Sequence, residues 1–368
     1  MKLTRLLALA VTLALWGATL QAEILIGQTV GVTGTVAATV KESMEGAMLY
    51  VGAVNAKGGV NGEKIKILTL DDKFDTKLTL ANARQLIEEK AVLALFMTRG
   101  TPNTQGIVAL LDQHGVPLIG PSTGAMVFHQ PVQRHIFNVR ATYQREAEKA
   151  ISHLVSIGIT RIALIHVDDS FGSDGLQGAQ RGLDNAKLKA VAVEKFDRSK
   201  PDFLVIAPLV AKADPQAIMF IGSGTAVVSG IQAVKGAGSG AQIVTLSNNA
   251  SSGFAKLLGD QARGVIVSQV LPQTFRYALV KEATQLANAH NIKDLSPAML
   301  EGFASAKVLV EALRRASPKP TRERLQAALE DMQNFDLGGL EISYSPTDHT
   351  GLDFADLSII SADGKFRR

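Results

Sequence analysis

The sequence predicts an α/β protein made of two doubly wound units, each a parallel sheet covered by helices. Short runs rich in Ile, Val and Leu alternate with longer amphipathic stretches, a pattern typical of buried parallel strands connected by helices. The alternation pauses over residues 122–143 and then restarts, which indicates a second unit of similar size. With 368 residues, of which 46% are hydrophobic, the chain is long enough to build two hydrophobic cores.

The first unit contains alternating strand and helix patterns. Strands are predicted at residues 24–29, 65–70, 92–97 and 116–120, and helices at residues 36–57, 76–89 and 102–113. Pro102 suits the first turn of the last helix, because the N–H that proline lacks would have no partner there. Strands that alternate with helices of this length predict βαβ units and a parallel sheet.

The second unit repeats this alternation and is followed by a helical tail. Its strands are predicted at residues 161–167, 189–196, 217–222, 243–246 and 265–270, and its helices at residues 145–156, 173–186, 203–212 and 225–237. Residues 275–332 are almost wholly helical, and strand-like segments follow at 339–344 and 354–360. The tail helices must cover one of the two sheets, because alone they would expose an apolar stripe to water.

The first 22 residues have the pattern of a secretory signal. Lys2 and Arg5 provide the charged start, residues 6–20 are apolar, and cleavage is predicted after Ala22. A lipoprotein would need a cysteine directly after the cleavage site, and the chain has no cysteine. We therefore expect an exported, periplasmic, disulfide-free protein that is not a lipoprotein. No later stretch reaches about 18 uninterrupted apolar residues, so no transmembrane helix is predicted beyond the leader.

Charge and motif content argue against several other classes of protein. The 38 Lys and Arg residues against 34 Asp and Glu give a formal charge of +4, and the basic runs at 314–315 and 365–368 are too short to form a nucleic-acid-binding face. The seven histidines show no metal-ligand spacing with a carboxylate partner. The chain also lacks a G-x-x-x-x-G-K-[ST] loop. We therefore predict neither a nucleic-acid partner nor a metal or other cofactor.

Two glycine motifs have enzymatic or nucleotide-binding counterparts. Residues 120–124, Gly-Pro-Ser-Thr-Gly, match the G-x-S-x-G pattern of serine hydrolases, so an exported hydrolase with Ser122 as its nucleophile is one alternative. Pro121 fixes the backbone before Ser122 and no capped helix follows, which favours a binding loop in a protein that is not an enzyme. Residues 236–241 satisfy G-x-G-x-x-A, but they end a predicted helix and precede a strand, so they indicate a helix C-cap.

Loops that follow the predicted strands are rich in Gly, Ser, Thr and Asp. They are residues 33–35, 71–72, 98–101, 121–124, 168–172, 222–225 and 247–249. Open parallel sheets bind ligands at the carboxyl ends of their strands, and hydroxyls with free backbone N–H groups at helix N-termini suit a carboxylate. Asp168 and Asp169 point to opposite faces as strand neighbours, so we expect one to cap the following helix and one to face the cleft.

Several stretches carry the pattern of a known family. They are residues 26–34, 54–62 with the sequence Val-Asn-Ala-Lys-Gly-Gly-Val-Asn-Gly, 71–72, 115–121, 170–172 and 363–365. In these stretches the chain resembles the periplasmic substrate-binding proteins of ABC importers related to the leucine/isoleucine/valine-binding protein. The resemblance implies a monomer of two α/β lobes that are joined by three hinge crossovers and close on a small carboxylate or amide. It also implies an ABC permease in the inner membrane as the partner.

The resemblance also implies domain boundaries and site residues. After a signal peptide at residues 1–22, the N-terminal lobe would comprise residues 23–141 and 273–352, and the C-terminal lobe residues 142–272 and 353–368. The implied ligand-binding residues are Thr101, Ser122, Thr123, Gly124, Phe171, Gly224 and Asn248. The first four would hold the ligand's carboxylate, and the last three belong to the second lobe.

The chain departs from the family in the half of the site that holds the α-ammonium of an amino acid. Asn248 stands where the family has an acid, and an unpaired ammonium in a closed cleft is costly. Gly224 and Thr39 stand where the family has aromatic residues, so we expect more room than a leucine side chain needs. A bulkier or non-amino carboxylate, or an amide, is then as credible as a branched-chain amino acid. The acids that could substitute for the missing one are Asp72, Asp168 and Asp169.

A ligand-sensing receptor on the same fold is the second alternative function.

Overall fold

The computed structural model describes residues 23–368, and the predicted signal peptide lies outside the described residues. The chain forms two α/β lobes, each built on a sheet of mainly parallel strands, which confirms the predicted fold class. Within residues 23–368, no helix is both long and apolar enough to cross a membrane.

The sheet of the first lobe has five parallel strands. They are β1 (Glu23–Val30), β2 (Lys64–Asp71), β3 (Ala94–Phe96), β4 (Leu118–Ile119) and β5 (Ile136–Phe137). Their order across the sheet is β2-β1-β3-β4-β5, with Ile26 opposite Ile67 and Ala94. The first four were predicted from their apolar runs. The pattern does not predict β5, because two residues in the stretch where the alternation pauses give no strand signal.

Helices of the first lobe follow the predicted positions, with one difference. They are α1 (Ala37–Ala56), α2 (Thr76–Arg84), α3 (Thr101–Gln105) and α4 (Val108–His114), and α2 continues as a π-helical turn over Gln85–Glu89. The prediction of one helix over residues 102–113 is wrong, because the chain breaks at Gly106 and Ile107 into α3 and α4. Glycine weakens a helix interior by about 1 kcal/mol. A hydrogen bond of 3.0 Å between Thr98 and Thr104 also ties α3 to the end of β3.

The sheet of the second lobe has seven strands. They are β6 (Ile162–Val167), β7 (Ala192–Phe196), β8 (Ala217–Ile221), β9 (Gln242–Thr245), β10 (Ile266–Gln269), β13 (Asp356–Ile360) and β14 (Phe366–Arg367), while β11 (Phe335–Asp336) and β12 (Glu341–Ile342) form a separate hairpin. Their order is β14-β13-β10-β9-β8-β6-β7. Strands β6 to β10 are parallel, and β13 and β14 join the edge antiparallel.

The second lobe has helices between these strands, and several begin at a side-chain cap. The helices are α5 (Tyr143–Ser156), α6 (Ser170–Asn185), α7 (Phe203–Lys212), α8 (Gly224–Gly236) and α9 (Ser252–Leu258). Thr142 caps α5 and Ser251 caps α9 through their hydroxyls. Asp169 caps α6, accepting hydrogen bonds from the backbone of Phe171 and Gly172. These caps fix the helix N-termini at the edge of the sheet that faces the first lobe.

The helical tail covers the first sheet. It consists of α10 (Ala278–Ala289), α11 (Pro297–Ala316) and α12 (Arg322–Glu330). Helix α11 crosses α1 at glycine: a Cβ on Gly46 would lie 1.8 Å from the carbonyl oxygen of Met299, and one on Gly302 would lie 1.8 Å from that of Ser43. The two backbones are therefore in direct contact, and a helix from the end of the chain completes the first lobe. The chain passes between the lobes three times, after β5, after β10 and after β12.

Candidate functional site

The carboxyl ends of β3 and β4 bring three of the predicted anion-binding residues together. Just beyond these strands, Arg99 and Ser122 form a parallel bridge, and the hydroxyls of Thr101 and Thr123 lie 2.8 Å apart. Thr101, Ser122 and Thr123 have 1%, 3% and 0% of their surface exposed. Three hydroxyl groups thus lie at adjacent buried positions on the edge of the first sheet that faces the second lobe.

Gly124, predicted with these residues, lies against the hinge. Its carbonyl oxygen accepts a hydrogen bond of 2.7 Å from the backbone of Tyr143. A Cβ on Gly124 would lie 2.6 Å from the carbonyl oxygen of Ala141. The hinge segment therefore approaches too closely for any other residue, and this contact positions the Ser122–Gly124 loop.

Arg99 is a buried cation in the cleft that the sequence analysis did not identify. Its guanidinium donates to the Ser122 hydroxyl at 3.1 Å and, across the cleft, to the backbone carbonyl of Asn248 at 2.6 Å. Arg99 is 3% exposed, and burial lowers the pKa of its guanidinium. The sequence offers one indication of this role: Arg99 is the single charged residue in the small polar loop of residues 98–101.

Asn248 lies on the second-lobe side of the cleft and is 1% exposed. Its side-chain amide donates to the Gly222 carbonyl and to the Ser223 hydroxyl, both at 2.9 Å. A carbonyl can only accept, so the Gly222 contact fixes the orientation of the amide. Its Oδ1 atom is buried and has no hydrogen-bond partner within residues 23–368. The position that carries an acid in amino-acid binders of the resembled family thus presents a neutral, unoccupied acceptor.

Gly224 and Thr39 make contacts between the lobes instead of leaving open space. Gly224 has a φ of +57°, and a Cβ there would lie 1.9 Å from the carbonyl oxygen of Thr35. The next backbone N–H, that of Thr225, donates to the same oxygen at 3.1 Å. The Thr39 hydroxyl lies 2.9 Å from that of Ser251. The expectation of additional room at Gly224 is wrong for these closed lobes. The backbone of the first lobe occupies the space that an aromatic side chain would take.

Phe171 is buried at the start of α6, with 3% of its surface exposed. Its ring centroid lies 4.7 Å from that of Tyr143, which follows the first hinge crossover. The Arg140 guanidinium lies 4.6 Å from the centroid of the same tyrosine. Burial raises the pKa of Tyr143, which keeps its phenol neutral. Phe171 therefore belongs to an aromatic wall that joins the cleft to the hinge.

The three acids named as substitutes for the missing carboxylate already have protein partners. Asp72 accepts from the hydroxyls of Thr29 and Thr79 and from the Phe74 backbone, and burial raises its pKa. Asp169 is the cap of α6 and also pairs with Arg198, which confirms the predicted cap. Asp168 is half exposed and pairs with Lys195 at 2.9 Å. In this arrangement each of these carboxylates is committed to the scaffold or to a basic side chain.

A cluster of buried charges lies at the hinge. We call Arg140, Glu146, Ser247, Ser268 and Glu301 the hinge cluster. Arg140 pairs with Glu146 and lies 3.4 Å from Glu301, and Glu146 also binds the Ser247 backbone and the Ser268 hydroxyl. Burial alone would lower the pKa of Arg140, but the two glutamates raise it well above its ordinary value. The cluster joins both lobes and a hinge strand through fully engaged charges.

Ser122 connects the hinge cluster to the cleft. Its hydroxyl accepts from Arg99 and donates to Glu301 at 3.1 Å. In the catalytic triad a histidine takes the proton of the serine nucleophile. Within residues 23–368 the side-chain partners of the Ser122 hydroxyl are Arg99 and Glu301, and no histidine is among them. The geometry therefore favours a positioning or ligand-binding role for Ser122 over the alternative of a hydrolase.

Contacts across the cleft show that the two lobes are closed on each other. The Glu42 carboxylate accepts from the backbone N–H groups of Ser252 and Gly253 at 3.0 and 2.6 Å, at the start of α9. The Arg198 guanidinium lies 4.6 Å from the centroid of the Phe74 ring.

Within residues 23–368, no group of three or more His, Cys, Asp or Glu side chains is placed to hold a metal ion.

Comparison with known proteins adds independent information. A sequence model of the family described as "Periplasmic binding protein" matches residues 23–362. The leucine-, isoleucine-, valine-, threonine- and alanine-binding protein of Pseudomonas aeruginosa is 22% identical over 83% of both chains. An amino acid binding protein of the same species is 27% identical over 55% of this chain and 54% of its own length.

Solved structures agree in fold over nearly the whole chain. A substrate-binding periplasmic protein from Ralstonia solanacearum superposes with a TM-score of 0.86 at 30% identity, covering 94% of this chain and 99% of that one. A branched-chain amino acid ABC transporter structure from Thermus thermophilus with bound valine gives a TM-score of 0.81 at 17% identity, covering 94% and 95% of the two chains. The second likeness bears on the fold alone.

Proposed function

Because the chain belongs to the periplasmic binding protein family, we propose that it is the solute-binding component of an ABC importer of the branched-chain amino acid type. Its two lobes would close on a small solute that bears a carboxylate and deliver it, as a periplasmic monomer, to a permease in the inner membrane. The lobes would divide at the boundaries predicted from the sequence, with residues 23–141 and 273–352 forming one lobe and residues 142–272 and 353–368 the other.

The observation that carries this proposal is the polar edge of the first sheet. Thr101, Ser122 and Thr123 place three buried hydroxyls at this edge, and the Arg99 guanidinium contacts that of Ser122. The Ser122 hydroxyl donates its proton to Glu301, and one of the two threonine hydroxyls donates to the other. The donors left for a ligand carboxylate are therefore the second threonine hydroxyl and the Arg99 guanidinium, whose charge-assisted hydrogen bonds are the stronger ones. Asn248 contacts the same guanidinium from the other lobe. A ligand bound between these groups would touch both lobes, which is what stabilises a closed arrangement over an open one.

The test is a thermal-shift screen of amino acids, aromatic acids, short organic acids and amides on the mature protein. A ligand that binds only the folded state raises its stability by about 2.7 kcal/mol at a concentration of 100 Kd. We expect at least one small carboxylate to raise the melting temperature, and small-angle scattering to show a more compact particle when that compound is saturating. A screen without a small-molecule hit, or a hit that leaves the scattering profile unchanged, would contradict capture by lobe closure.

A further inference from the structure

The cleft contains an arginine whose charge is not matched by direct contact with a carboxylate. Within residues 23–368 the hydrogen-bond partners of Arg99 are the Ser122 hydroxyl and the Asn248 carbonyl, both uncharged. The two acids of the hinge cluster, Glu146 and Glu301, both pair with Arg140. Glu301 is linked to Arg99 only through the Ser122 hydroxyl. A buried cation in this setting has free donor capacity, because a guanidinium carries five N–H donors, and it favours an anion.

A second, independent observation lies on the other side of the cleft. The Oδ1 atom of Asn248 is buried without a partner, although the rest of its amide is fully engaged with Gly222 and Ser223. Leaving a buried acceptor unsatisfied is costly, so this atom favours a ligand that brings a hydrogen-bond donor. The backbone carbonyl of the same residue is the one that Arg99 contacts. The guanidinium thus contacts the backbone of the residue whose side chain carries the free acceptor.

These two groups together define the charge of an acceptable ligand. A positive ammonium placed at the Asn248 side chain would find a neutral acceptor and would lie close to the positive guanidinium of Arg99. Two like charges in a buried site repel strongly, and Asp72, Asp168 and Asp169 are engaged elsewhere. A hydroxyl or amide N–H at the same place satisfies Asn248 without that repulsion.

Resting on the proposed binding function, we propose that Arg99 and Asn248 select the ligand by charge. The protein binds small carboxylic acids whose second polar group is a neutral donor, such as 2-hydroxy acids, in preference to the zwitterionic amino acids of the same skeleton. Arg99 holds the anion, and Asn248 Oδ1 accepts the hydrogen bond of the neutral donor. Both are specificity-determining residues, one in each lobe.

Calorimetry with matched pairs of compounds tests this on the wild-type protein. Each pair shares a skeleton and differs in one group: lactate and alanine, 2-hydroxy-3-methylbutanoate and valine, 2-hydroxy-4-methylpentanoate and leucine, 3-phenyllactate and phenylalanine, malate and aspartate. We expect at least one hydroxy acid to bind at least tenfold more tightly than its amino acid. If an amino acid binds more tightly than its hydroxy counterpart, the charge selection is wrong and the binding function stands. If no member of any pair binds, the charge selection is also wrong, and the broader thermal-shift screen then decides the binding function separately.

Variants assign the effect to Arg99. Arg99→Gln is expected to weaken binding of the preferred hydroxy acid at least tenfold, and Arg99→Lys, which keeps the charge, to weaken it less. Arg322→Gln is the matched control, since Arg322 likewise donates to backbone carbonyls, those of Val92 and His114, at a distance from the cleft. Melting temperatures of the unliganded variants report on folding. If Arg99→Gln lowers the melting temperature but leaves the affinity unchanged, Arg99 is a structural counterion of Glu301 and the proposal fails.

Discussion

The hinge cluster and the ligand cleft are both buried and polar, and a single hydroxyl, that of Ser122, joins them. They differ in how fully their hydrogen bonds are satisfied. In the hinge cluster Arg140 contacts two glutamates, and Glu146 is also bound by two serines. In the cleft Arg99 contacts uncharged oxygens and Asn248 keeps a free acceptor. The comparison indicates that polar groups with all their hydrogen bonds made stabilise the scaffold. Polar groups with donors or acceptors left over are available to a ligand.

Breaking the hinge cluster is expected to have the largest effect, and it is an effect on folding. Arg140→Met leaves Glu146 and Glu301 as buried charges without their cation, and removing one partner of a buried pair costs about 3–5 kcal/mol. Urea unfolding followed by circular dichroism measures the change. Lys66→Met is the control, because its pair with Glu23 is half exposed and such pairs contribute no more than about 1 kcal/mol. If both variants lose the same free energy of unfolding, the buried hinge cluster stabilises the fold no more than an exposed ion pair does.

Gly224→Ala is expected to prevent closure while leaving the lobes folded. The new Cβ would lie 1.9 Å from Thr35, which belongs to the other lobe. If the closed state falls to about 1% of the population, the apparent affinity drops about a hundredfold. Gly115→Ala is the control: its φ is +58°, close to the +57° of Gly224, but nothing lies within 4 Å of its Cβ position. Both variants share the backbone strain, so an equal loss of affinity would exclude the clash as the cause.

His129 makes the stability of the hinge side depend on pH. Burial, together with the positive charge of Arg140, lowers the pKa of His129 to about 4 from its ordinary value of 6.5. The unfolded chain therefore binds the proton more readily, and stability is present above pH 6.5 and is lost as the pH falls towards 4. At pH 5 the loss is about 2 kcal/mol. His129→Leu is expected to reduce this loss between pH 7.5 and 5 in urea titrations, whereas substitution of the exposed His290 by Gln is not.

Thr101→Ala is expected to change ligand binding and not folding. Losing one charge-assisted hydrogen bond costs about 1.5–3 kcal/mol, so calorimetry should show a dissociation constant that is about ten- to a hundredfold higher. Thr321→Ala is the control, because the Thr321 hydroxyl caps α12 away from the cleft. It should lower stability by about 1 kcal/mol without changing affinity. If the dissociation constant of Thr101→Ala is unchanged, Thr101 does not contact the ligand and serves only the start of α3.

The sequence predicted most of the fold because its signal is local. Apolar runs marked the strands with more than two residues in each lobe, and Asp169 was recognised as a cap from its place before a helix. The short strand β5 was missed because two residues give no strand signal, and its position depends on pairing with β4. The break at Gly106 was missed although glycine is a local signal that weakens a helix. In the site, the loop of residues 98–101 was identified by its small polar residues, but the role of Arg99 depends on Asn248, which is remote in sequence.

The close crossing of α1 and α11 has a consequence for the order in which the chain folds. Gly46 meets Met299 and Gly302 meets Ser43, so α1, the first helix of residues 23–368, finds its partner only when most of the sequence has been made. Contacts between residues so far apart require a long loop to close, and proteins rich in such contacts fold slowly. The first lobe therefore cannot complete its core early in synthesis. A chain of this topology therefore keeps the apolar face of α1 without its final partner for longer than one whose lobes are continuous in sequence.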